Sequence, residues 1–385
     1  MALRDNALEL LCQRVLSTHE EIGKDVWPHH ADPKTGKWNT VPTGDWIDGH
    51  WIDMLRMTGE LLDRPDLLEE AFRRVETIRY KLETDDMFRG HRFFYSAARL
   101  YATTGDEYMR TLALAAAWAM RSTANKGNGA IPVGSEVVTL GSVEFANEVA
   151  KGALSRNTVC IDNVHPGLIL DWWAWKETGD NTFVVGAERM LKVLENYFIR
   201  EDGSTIENIQ FEWETGELIG ELPTLLGYAD DSCWSRGQSW AIAGNLWGYE
   251  HTRNSHHLEV AGKLFDYWWN KVGPEVPPWD FDDPSPDALL DTSAAGIVCS
   301  ALARLAVLSP LPEEAKPFTD RLEPMLENLC KHLTPVDGND KRPEGMLVDG
   351  CMNGVKGFAD RHELIWGDYY LMEALYCLEK KGLPC

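Results

Sequence analysis

The stretch Ala174-Trp175-Lys176-Glu177-Thr178-Gly179-Asp180-Asn181 decides the fold, because its Thr-Gly-Asp centre lies between two apolar periodic segments. Glycine supplies the left-handed residue that ends one helix, and the aspartate caps the next helix. The same turn recurs, with small changes, at Thr58-Gly59-Glu60, Thr104-Gly105-Asp106 and Thr252-Arg253-Asn254. These turns predict helical hairpins connected in series.

Helical periodicity extends over most of the chain and predicts twelve helices. Twelve helices in hairpin units fit an all-α (α/α)6 barrel, in which an outer ring of helices surrounds an inner ring. An open α-solenoid is the alternative, but the intervals between the turns (46, 74 and 74 residues) vary more than solenoid repeats do. Only Gly203–Trp213 suggests strands, as a hairpin of Thr205–Glu207 with Ile209–Phe211. We expect one domain over residues 1–385. The predicted helices are Asn6–Thr18, Asp53–Leu62, Asp66–Leu82, Phe93–Tyr101, Tyr108–Arg121, Gly167–Lys176, Thr182–Phe198, Ser239–His251, His256–Val272, Ser293–Leu308, Glu313–His332 and Tyr369–Glu379.

The overall charge of the chain excludes several classes of partner. With 61 acidic against 37 basic residues, the net charge of its 385 residues is −24. Nucleic-acid binding requires a basic face, so we expect no nucleic-acid partner and no binding to an anionic membrane surface. The 16 Trp residues suggest instead that some rings receive a flat-faced ligand.

Cysteine and histidine spacing indicates the compartment and the absence of a metal site. Eight cysteines occur without any CxxC pair, and no signal peptide or long apolar run is present. We therefore expect reduced thiols in a cytoplasmic protein without a membrane span. The eleven His residues show no HxH or HxxxH spacing, so we expect no metal.

Two loop segments carry the strongest chemical signals. In Trp234–Trp240, two Trp and one Arg surround a Gly just before a helix, which suits a sugar ring and its carboxylate. The structural alternative is a core helix start whose Arg236 pairs with Asp230 or Asp231. In Val159–Pro166, Asp162 lies in an apolar run where burial could raise its pKa and make it a proton donor. Its structural alternative is a helix cap.

Other polar and aromatic segments also lie between the predicted helices. Pro277–Pro284 with Asp291–Ala295, and Ile365–Tyr370, are interpreted as structural helix starts. If the hairpins alternate in a barrel, the long loops gather at one rim, where binding residues belong. These loops are Val26–Trp51, Ala124–Cys160, Arg200–Trp240, Gly273–Thr292 and Thr334–Trp366.

Together these segments resemble the unsaturated glucuronyl hydrolases, a glycoside hydrolase family (family 88-like) built on the (α/α)6 barrel. The matching stretches follow the family order from about residue 40 to the C-terminus. They are Asp45-Trp46 with Gly49–Trp51, Asp162-Asn163, Asp230–Trp240, Trp279–Asp282 with Asp291–Ala295, and Gly367–Tyr370.

The resemblance implies hydrolysis of an oligosaccharide that ends in a 4,5-unsaturated uronic acid. In this family an Asp protonates C4 of the enol ether and helps water to add at C5, after which the ring opens and the sugar is released. Asp162 matches this acid/base, and no cofactor or metal is implied. The positions that match substrate-binding residues are Trp46, Trp234, Arg236 and Trp240.

The sequence departs from the family pattern at three places. A second family Asp is replaced within Arg89–Phe93, and Asp85 or Asp86 could substitute for it only out of register. Glu207 stands where a His is common, and Leu226 where a Gln is expected. We expect His91, Arg92 and Glu207 to contact the substrate, and Arg236 with Arg89–Arg92 to form a local basic pocket for its carboxylate.

Two other functions remain alternatives. The first is a conventional glycosidase, in which Asp162 pairs with Asp280 or Glu207 at the separations of retaining or inverting enzymes. The second is a carbohydrate-binding barrel that has lost its active site. In each case the partner is a small oligosaccharide, and the sequence leaves self-association into a homo-oligomer open.

Overall fold

The computed structural model describes residues 3–134, 157–309 and 311–383. In these ranges an inner ring of helices is surrounded by an outer ring, which confirms the predicted (α/α)6 barrel. The helices in chain order are α1 (Leu3–Ile22), α2 (Asp48–Leu61), α3 (Pro65–Ile78), α4 (Arg89–Phe93), α5 (Arg99–Thr104), α6 (Glu107–Ser122), α7 (Ile169–Thr178), α8 (Asn181–Val193), α9 (Ser235–Thr252), α10 (Ser255–Val272), α11 (Thr292–Leu308), α12 (Pro312–Thr319), α13 (Leu322–Cys330) and α14 (Ile365–Lys380).

The inner ring consists of α2, α4 with α5, α7, α9, α11 and α14. One π-helical turn, Phe94–Ala98, joins α4 to α5. These segments are buried on nearly every side, and the ring closes where α14 packs against α2. Outer helices such as α3 and α6 bury a single stripe, as expected for amphipathic helices that pack on a core.

The Thr-Gly-Asp turns have the predicted geometry at three of the four positions. Gly105 ends α5 with φ 74°, and Asp106 then accepts hydrogen bonds from the first backbone N–H groups of α6. The turns at Gly179 and Arg253 follow the same plan. The prediction at Thr58-Gly59-Glu60 is wrong, because α2 continues to Leu61 and the turn is made by Asp63, with φ 52°. Glu60 extends the helix by pairing with Arg56 one turn earlier.

Short strands form two three-stranded antiparallel sheets among the loops. Their orders are β2-β1-β6 and β3-β4-β5. The predicted pairing of residues 205–207 with 209–211 is wrong, since Thr205 bridges to Ile199 and the hairpin turns at Gly216, with φ 72°. The strands are β1 (Trp27–Ala31), β2 (Trp38–Val41), β3 (Thr158–Cys160), β4 (Asn208–Phe211), β5 (Leu218–Glu221) and β6 (Glu363–Leu364).

The segments that precede the inner helices meet at one end of the barrel. Strand β1, before α2, pairs with β6, before α14. The N–H of Ser235 donates to the carbonyl of Trp279 (3.1 Å), and the N–H of Ile161 donates to that of Glu207 (2.8 Å). The predicted gathering of loops is therefore observed, apart from residues 135–156 of the loop Ala124–Cys160, which lie outside the described residues. The N-termini of the inner helices, with their partial positive charge, face this end.

The structure also bears on the membrane-span and cysteine predictions. No helix within the described ranges is long and apolar enough to cross a membrane. The seven described cysteines are buried, whereas Cys385 lies outside the described residues.

Candidate active site

Asp162 lies at the loop end of the barrel, in a single 3₁₀ turn (Ile161–Val164) between β3 and α7. Asn163 fixes the turn, because its Oδ1 accepts the N–H of Cys160 (3.1 Å) and its Nδ2 donates to the carbonyl of Ile131 (2.7 Å). The alternative interpretation of Asp162 as a helix cap is wrong, since α7 begins only at Ile169. Asp162 is thus held in place by the turn and does not cap the next helix.

The environment of Asp162 suits a group that exchanges protons near neutral pH. The residue keeps some solvent exposure, but its Oδ1 is enclosed and accepts no hydrogen bond from the described residues. Burial raises the pKa of Asp162 to about 7; the charge of Arg236 opposes this shift, and that of Glu207 adds to it. A carboxyl with this pKa can both give and take a proton.

Aromatic side chains form a continuous wall beside Asp162, which we call the aromatic wall: Trp46, His50, Trp240, Trp366 and Tyr370. Its ring centroids lie 4.8 Å apart for Trp46 and Trp366, and 5.5 Å apart both for His50 and Tyr370 and for Trp240 and Tyr370. Burial raises the pKa of Tyr370 well above its usual value, and the charge of Asp162 adds to that shift. The wall therefore lies within electrostatic range of Asp162.

Several buried donors at this end of the barrel have no hydrogen-bond partner among the described residues. Among them are the indole N–H groups of Trp234, Trp240 and Trp366. Buried Trp N–H groups usually find an acceptor. Three unsatisfied donors in one region mark a place where the hydroxyl or carboxylate oxygens of a ligand would be favoured.

Arg236 ties the start of α9 to two other segments. Its guanidinium pairs with Asp291 and donates to the carbonyls of Cys351 (2.7 Å) and Met352 (3.1 Å). Asp291 is therefore its acidic partner, and the pairing with Asp230 or Asp231 considered from the sequence is wrong. The same guanidinium lies 4.6 Å from the ring centroid of Trp234 and 5.8 Å from that of Trp366. Arg236 thereby fixes two of the indoles that carry unsatisfied donors.

Arg92 and His91 are both buried beneath Trp46. Nε of Arg92 donates to the carboxylate of Asp48 (3.0 Å) and Nη1 donates to that of Asp86 (3.0 Å). Nε2 of His91 is 2.9 Å from the carbonyl oxygen of Trp46, and burial lowers the pKa of His91 to about 3. Free charges are therefore absent at three positions of the expected basic pocket, because carboxylates of the chain neutralise Arg92 and Arg236 and the imidazole of His91 is uncharged. The fourth, Arg89, is buried and donates to the backbone carbonyls of Asp86 (3.3 Å) and Leu82 (3.2 Å).

Glu207 and Asp280 hold the loop that precedes α9. The carboxylate of Glu207 accepts hydrogen bonds from the Thr224 hydroxyl and from the N–H groups of residues 225–227 (3.0–3.2 Å). Oδ2 of Asp280 accepts hydrogen bonds from the N–H of Tyr228 (2.8 Å) and the hydroxyl of Ser232 (2.7 Å). Both carboxylates are occupied in positioning the segment that leads to Trp234.

Replacing Glu207 by Gln is expected to shift the pH profile of activity. Glu207 raises the pKa of Asp162, so its removal lowers that pKa, and the loss of activity on the alkaline side should move to lower pH. The Gln side chain also accepts fewer backbone N–H groups, so proteolysis in residues 222–231 should become faster. The pH dependence of kcat/KM and limited proteolysis test both effects.

Glu214→Gln is the matched control, because this exposed carboxylate forms its ion pair with exposed Lys126. An unchanged pH profile in Glu207→Gln, or an equal shift in Glu214→Gln, would contradict the coupling between Glu207 and Asp162.

Gly90 lies in the stretch Arg89–Phe93, where the resemblance predicts a second Asp, and the structure shows why no side chain fits at this glycine. A Cβ built on Gly90 would lie 1.9 Å from the carbonyl oxygen of Pro166. Asp86 does not replace the missing carboxylate, since it accepts hydrogen bonds from the N–H of Phe88 (2.7 Å) and from Arg92. The backbone before α7 occupies the space in which a carboxylate would stand.

We expect that Gly90→Asp will neither restore a second carboxylate nor leave the protein stable. The clash is with backbone, so α4 and the Asp162 loop must separate, at a cost of about 3 kcal/mol or more. Urea denaturation measures the loss. Gly105→Ala is the control, since its added Cβ meets nothing within 4 Å and only the positive φ resists it, at about 1 kcal/mol. Equal stability losses would refute the steric account.

Sequence reasoning missed several residues of this site. Asp48, which pairs with Arg92 and Lys81, was not singled out, although it lies between two of the matching stretches. His165, stacked on Trp240 at 5.5 Å, follows Asp162 by three residues and gave no separate signal. Tyr370 was interpreted as part of a structural helix start.

Comparison with known proteins finds enzymes that are similar to this chain in sequence. No family model matches the chain. An unsaturated glucuronyl hydrolase from Bacillus sp. (strain GL1) is 28% identical over 363 residues, which cover 92% of each protein. An unsaturated chondroitin disaccharide hydrolase from Streptococcus pneumoniae is 28% identical over 341 residues, 86% of this chain and 81% of that protein.

Solved structures of unsaturated glucuronyl hydrolases are similar to this chain in fold. A structure named for a UGL variant and dGlcA-Glc-Rha-Glc superimposes with a TM-score of 0.83 at 27% identity, covering 98% of this chain and 97% of the other. In sequence and in fold, the chain is thus a relative of the unsaturated glucuronyl hydrolases, as the motifs indicated.

Proposed function

We propose that this protein is a glycoside hydrolase that removes a 4,5-unsaturated uronic acid from the non-reducing end of an oligosaccharide. The observation that carries the proposal is Asp162, whose carboxyl has a pKa of about 7 and an enclosed, unpartnered oxygen beside the aromatic wall. The relatives named for unsaturated glucuronyl and chondroitin substrates support this substrate class.

The proposed reaction uses one carboxyl in two roles. Protonated Asp162 transfers its proton to C4 of the enol ether, which leaves positive charge shared between C5 and the ring oxygen. The resulting carboxylate accepts a proton from a water molecule while the oxygen of that water forms a bond to C5. The hemiketal then collapses to a ketone at C5, as its bond to the ring oxygen breaks and that oxygen takes up the proton of the hemiketal hydroxyl. The open chain now carries a hemiacetal at C1, which breaks down to an aldehyde and releases the remaining sugar with a free hydroxyl. A pKa near neutrality suits both proton transfers.

The other predicted residues are proposed to bind or position the sugar. Trp46 and Trp240 provide apolar faces, and Trp234 provides an unsatisfied N–H. Arg236 positions the indoles of Trp234 and Trp366, while Glu207 and Arg92 fix the loops around them. His91 supports Trp46 through the contact between its Nε2 and the backbone carbonyl oxygen of Trp46.

The net charge of −24 requires an explanation if the substrate is anionic. We propose that the N-termini of the inner helices and the indole N–H groups attract the uronate, in place of free basic side chains. Long-range repulsion is screened beyond about 8 Å at physiological salt.

The geometry disfavours a conventional two-carboxylate glycosidase. Glu207 and Asp280, the partners considered for Asp162, each accept several hydrogen bonds from the loop before α9. A nucleophile or base would have to abandon these contacts. The carbohydrate-binding alternative predicts that sugar binds without turnover.

The test is loss of absorbance from the conjugated double bond, using unsaturated glucuronyl and chondroitin disaccharides. Turnover of either disaccharide supports the proposal, with saturated glycosides as the control. Binding without turnover would favour the carbohydrate-binding alternative, and turnover of saturated glycosides alone would favour the conventional glycosidase.

We also propose a cytoplasmic location, which the burial of the seven described cysteines supports. The absence of nucleic-acid and membrane partners stays a prediction, and homo-oligomer formation stays open.

A further inference from the structure

A second cavity lies at the other end of the barrel, where the inner helices end. Its volume is about 400 Å³. It opens among the C-terminal turns of α5, α7, α9 and α11, whereas Asp162 lies at the N-terminal side of the ring. The lining residues that carry the argument are Trp173, Lys176, Glu177, Trp247, His251 and Arg304.

Arg304 lines this cavity and carries an unsatisfied donor. The residue is 1% exposed, and its guanidinium carbon lies 3.7 Å from the ring centroid of Trp247. Nε and Nη2 donate to the carboxylate of Glu250 (3.1 and 2.7 Å), whereas Nη1 has no partner among the described residues. A buried guanidinium nitrogen without an acceptor is unfavourable, so an acceptor on a ligand would be stabilised there.

Basic side chains at the cavity oppose the partial negative charge of the helix C-termini. The carboxylate of Glu177 is already engaged by Arg110 (2.5 Å) and by the Tyr101 hydroxyl (3.3 Å). Lys176 is exposed and forms no ion pair with another described residue. Glu250 pairs with Arg304, and the charge of Lys176 also acts on Glu250 and helps to lower the pKa of that carboxyl. The cavity thus combines an exposed ammonium group that has no ion-pair partner among the described residues with a guanidinium N–H that has no acceptor there.

The walls favour a flat apolar body attached to that anion. The cavity is lined by Trp173 and Trp247, and His251 stacks on Trp247 at 5.6 Å. Nδ1 of His251 is 2.9 Å from the carbonyl oxygen of Trp247, and burial lowers the pKa of this histidine to about 4, so the ring is neutral. Rings of this kind bind planar groups by stacking.

We propose that this cavity is a binding site for a small carboxylate with a flat apolar body, separate from the catalytic end. The carboxylate would accept hydrogen bonds from Nη1 of Arg304 and pair with Lys176, and the body would lie against the aromatic lining. Trp247 also contacts His165 (5.3 Å), which stacks on Trp240 of the aromatic wall. One layer of rings therefore separates the two sites.

The test is a titration of the full chain with 4-fluorobenzoate, followed by fluorine NMR. We expect saturable binding with a Kd of about 1 mM, as is usual for a ligand of this size. The amide 4-fluorobenzamide has the same shape without the charge and should bind at least about tenfold more weakly.

Surface variants localise the binding without disturbing the core. Ala102→Phe places a ring at the mouth and should abolish binding, while Ala115→Phe, an equally exposed alanine on α6, should leave it unchanged. Lys176→Met should weaken binding about fivefold. Absence of saturable binding, equal affinity for the amide, or full binding in Ala102→Phe would each overturn the proposal.

Discussion

Asp162→Asn is expected to lower kcat about 10³-fold on an unsaturated disaccharide, while KM changes little. The amide keeps the shape and hydrogen-bonding capacity of the carboxyl but cannot donate a proton to C4 or accept one from water. Loss of a general acid/base costs 10²–10⁴-fold, and here one group serves both proton transfers. The measurement is the rate of absorbance loss from the conjugated double bond.

The pH profile of the parent protein provides an independent check. Because Asp162 must begin protonated and has a pKa of about 7, kcat/KM should fall as the pH rises above about 7. The residual activity of Asp162→Asn should lose this dependence. An Asp162→Asn protein that retains a tenth of the activity, or a parent profile that is flat across pH 7, would remove Asp162 from the mechanism.

Stability measurements distinguish lost chemistry from lost folding. The pKa of Asp162 rises from 3.8 to about 7 on folding, so the carboxyl destabilises the folded state once the pH is high enough to ionise it. At 1.36 kcal/mol per pKa unit the effect is at most about 4 kcal/mol, and the remaining solvent exposure should reduce it to half or less. Asp162→Asn should therefore be more stable than the parent at pH 8 and equally stable near pH 4.

Arg236→Ala is expected to destabilise the protein by about 3–5 kcal/mol, because it leaves Asp291 buried without its partner. Arg236 and Asp291 are almost completely buried, and the guanidinium also binds two backbone carbonyls. The lost contacts release Trp234 and Trp366, so activity should fall as well. Urea denaturation measures the free energy of unfolding.

Two controls sharpen this prediction. Arg64→Ala removes an Arg–Asp pair whose side chains are 44% and 55% exposed, and it should cost less than about 1 kcal/mol. The double variant Arg236→Met with Asp291→Asn removes both charges and should recover part of the loss. If Arg236→Ala costs no more than Arg64→Ala, the proposed role of Arg236 is wrong.

Much of the barrel could be predicted because its signals are local. A glycine with positive φ and an aspartate cap depend only on a few neighbouring residues, so Gly105-Asp106 and Gly179-Asp180 marked their turns correctly. The exception, Thr58-Gly59-Glu60, shows the limit of this reasoning. There, Glu60 contacts Arg56 of the same helix and Tyr376 of α14. The contact with α14 cannot be predicted from the residues next to Glu60 in the sequence.

The sequence by itself determined the helical hairpins, the (α/α)6 architecture and the position of Asp162 before an inner helix; the organisation of residues 1–385 as one domain stays a prediction. The tertiary structure decided which charges are free. Arg92, Arg236 and Glu207 resemble ligand-binding groups in the sequence, but Asp48, Asp291 and the N–H groups of residues 225–227 occupy them. The physical reason is that capping acts within one turn of the chain, whereas burial and ion pairing join segments that are far apart in sequence. The spacing of residues along the chain therefore does not predict which charged groups pair.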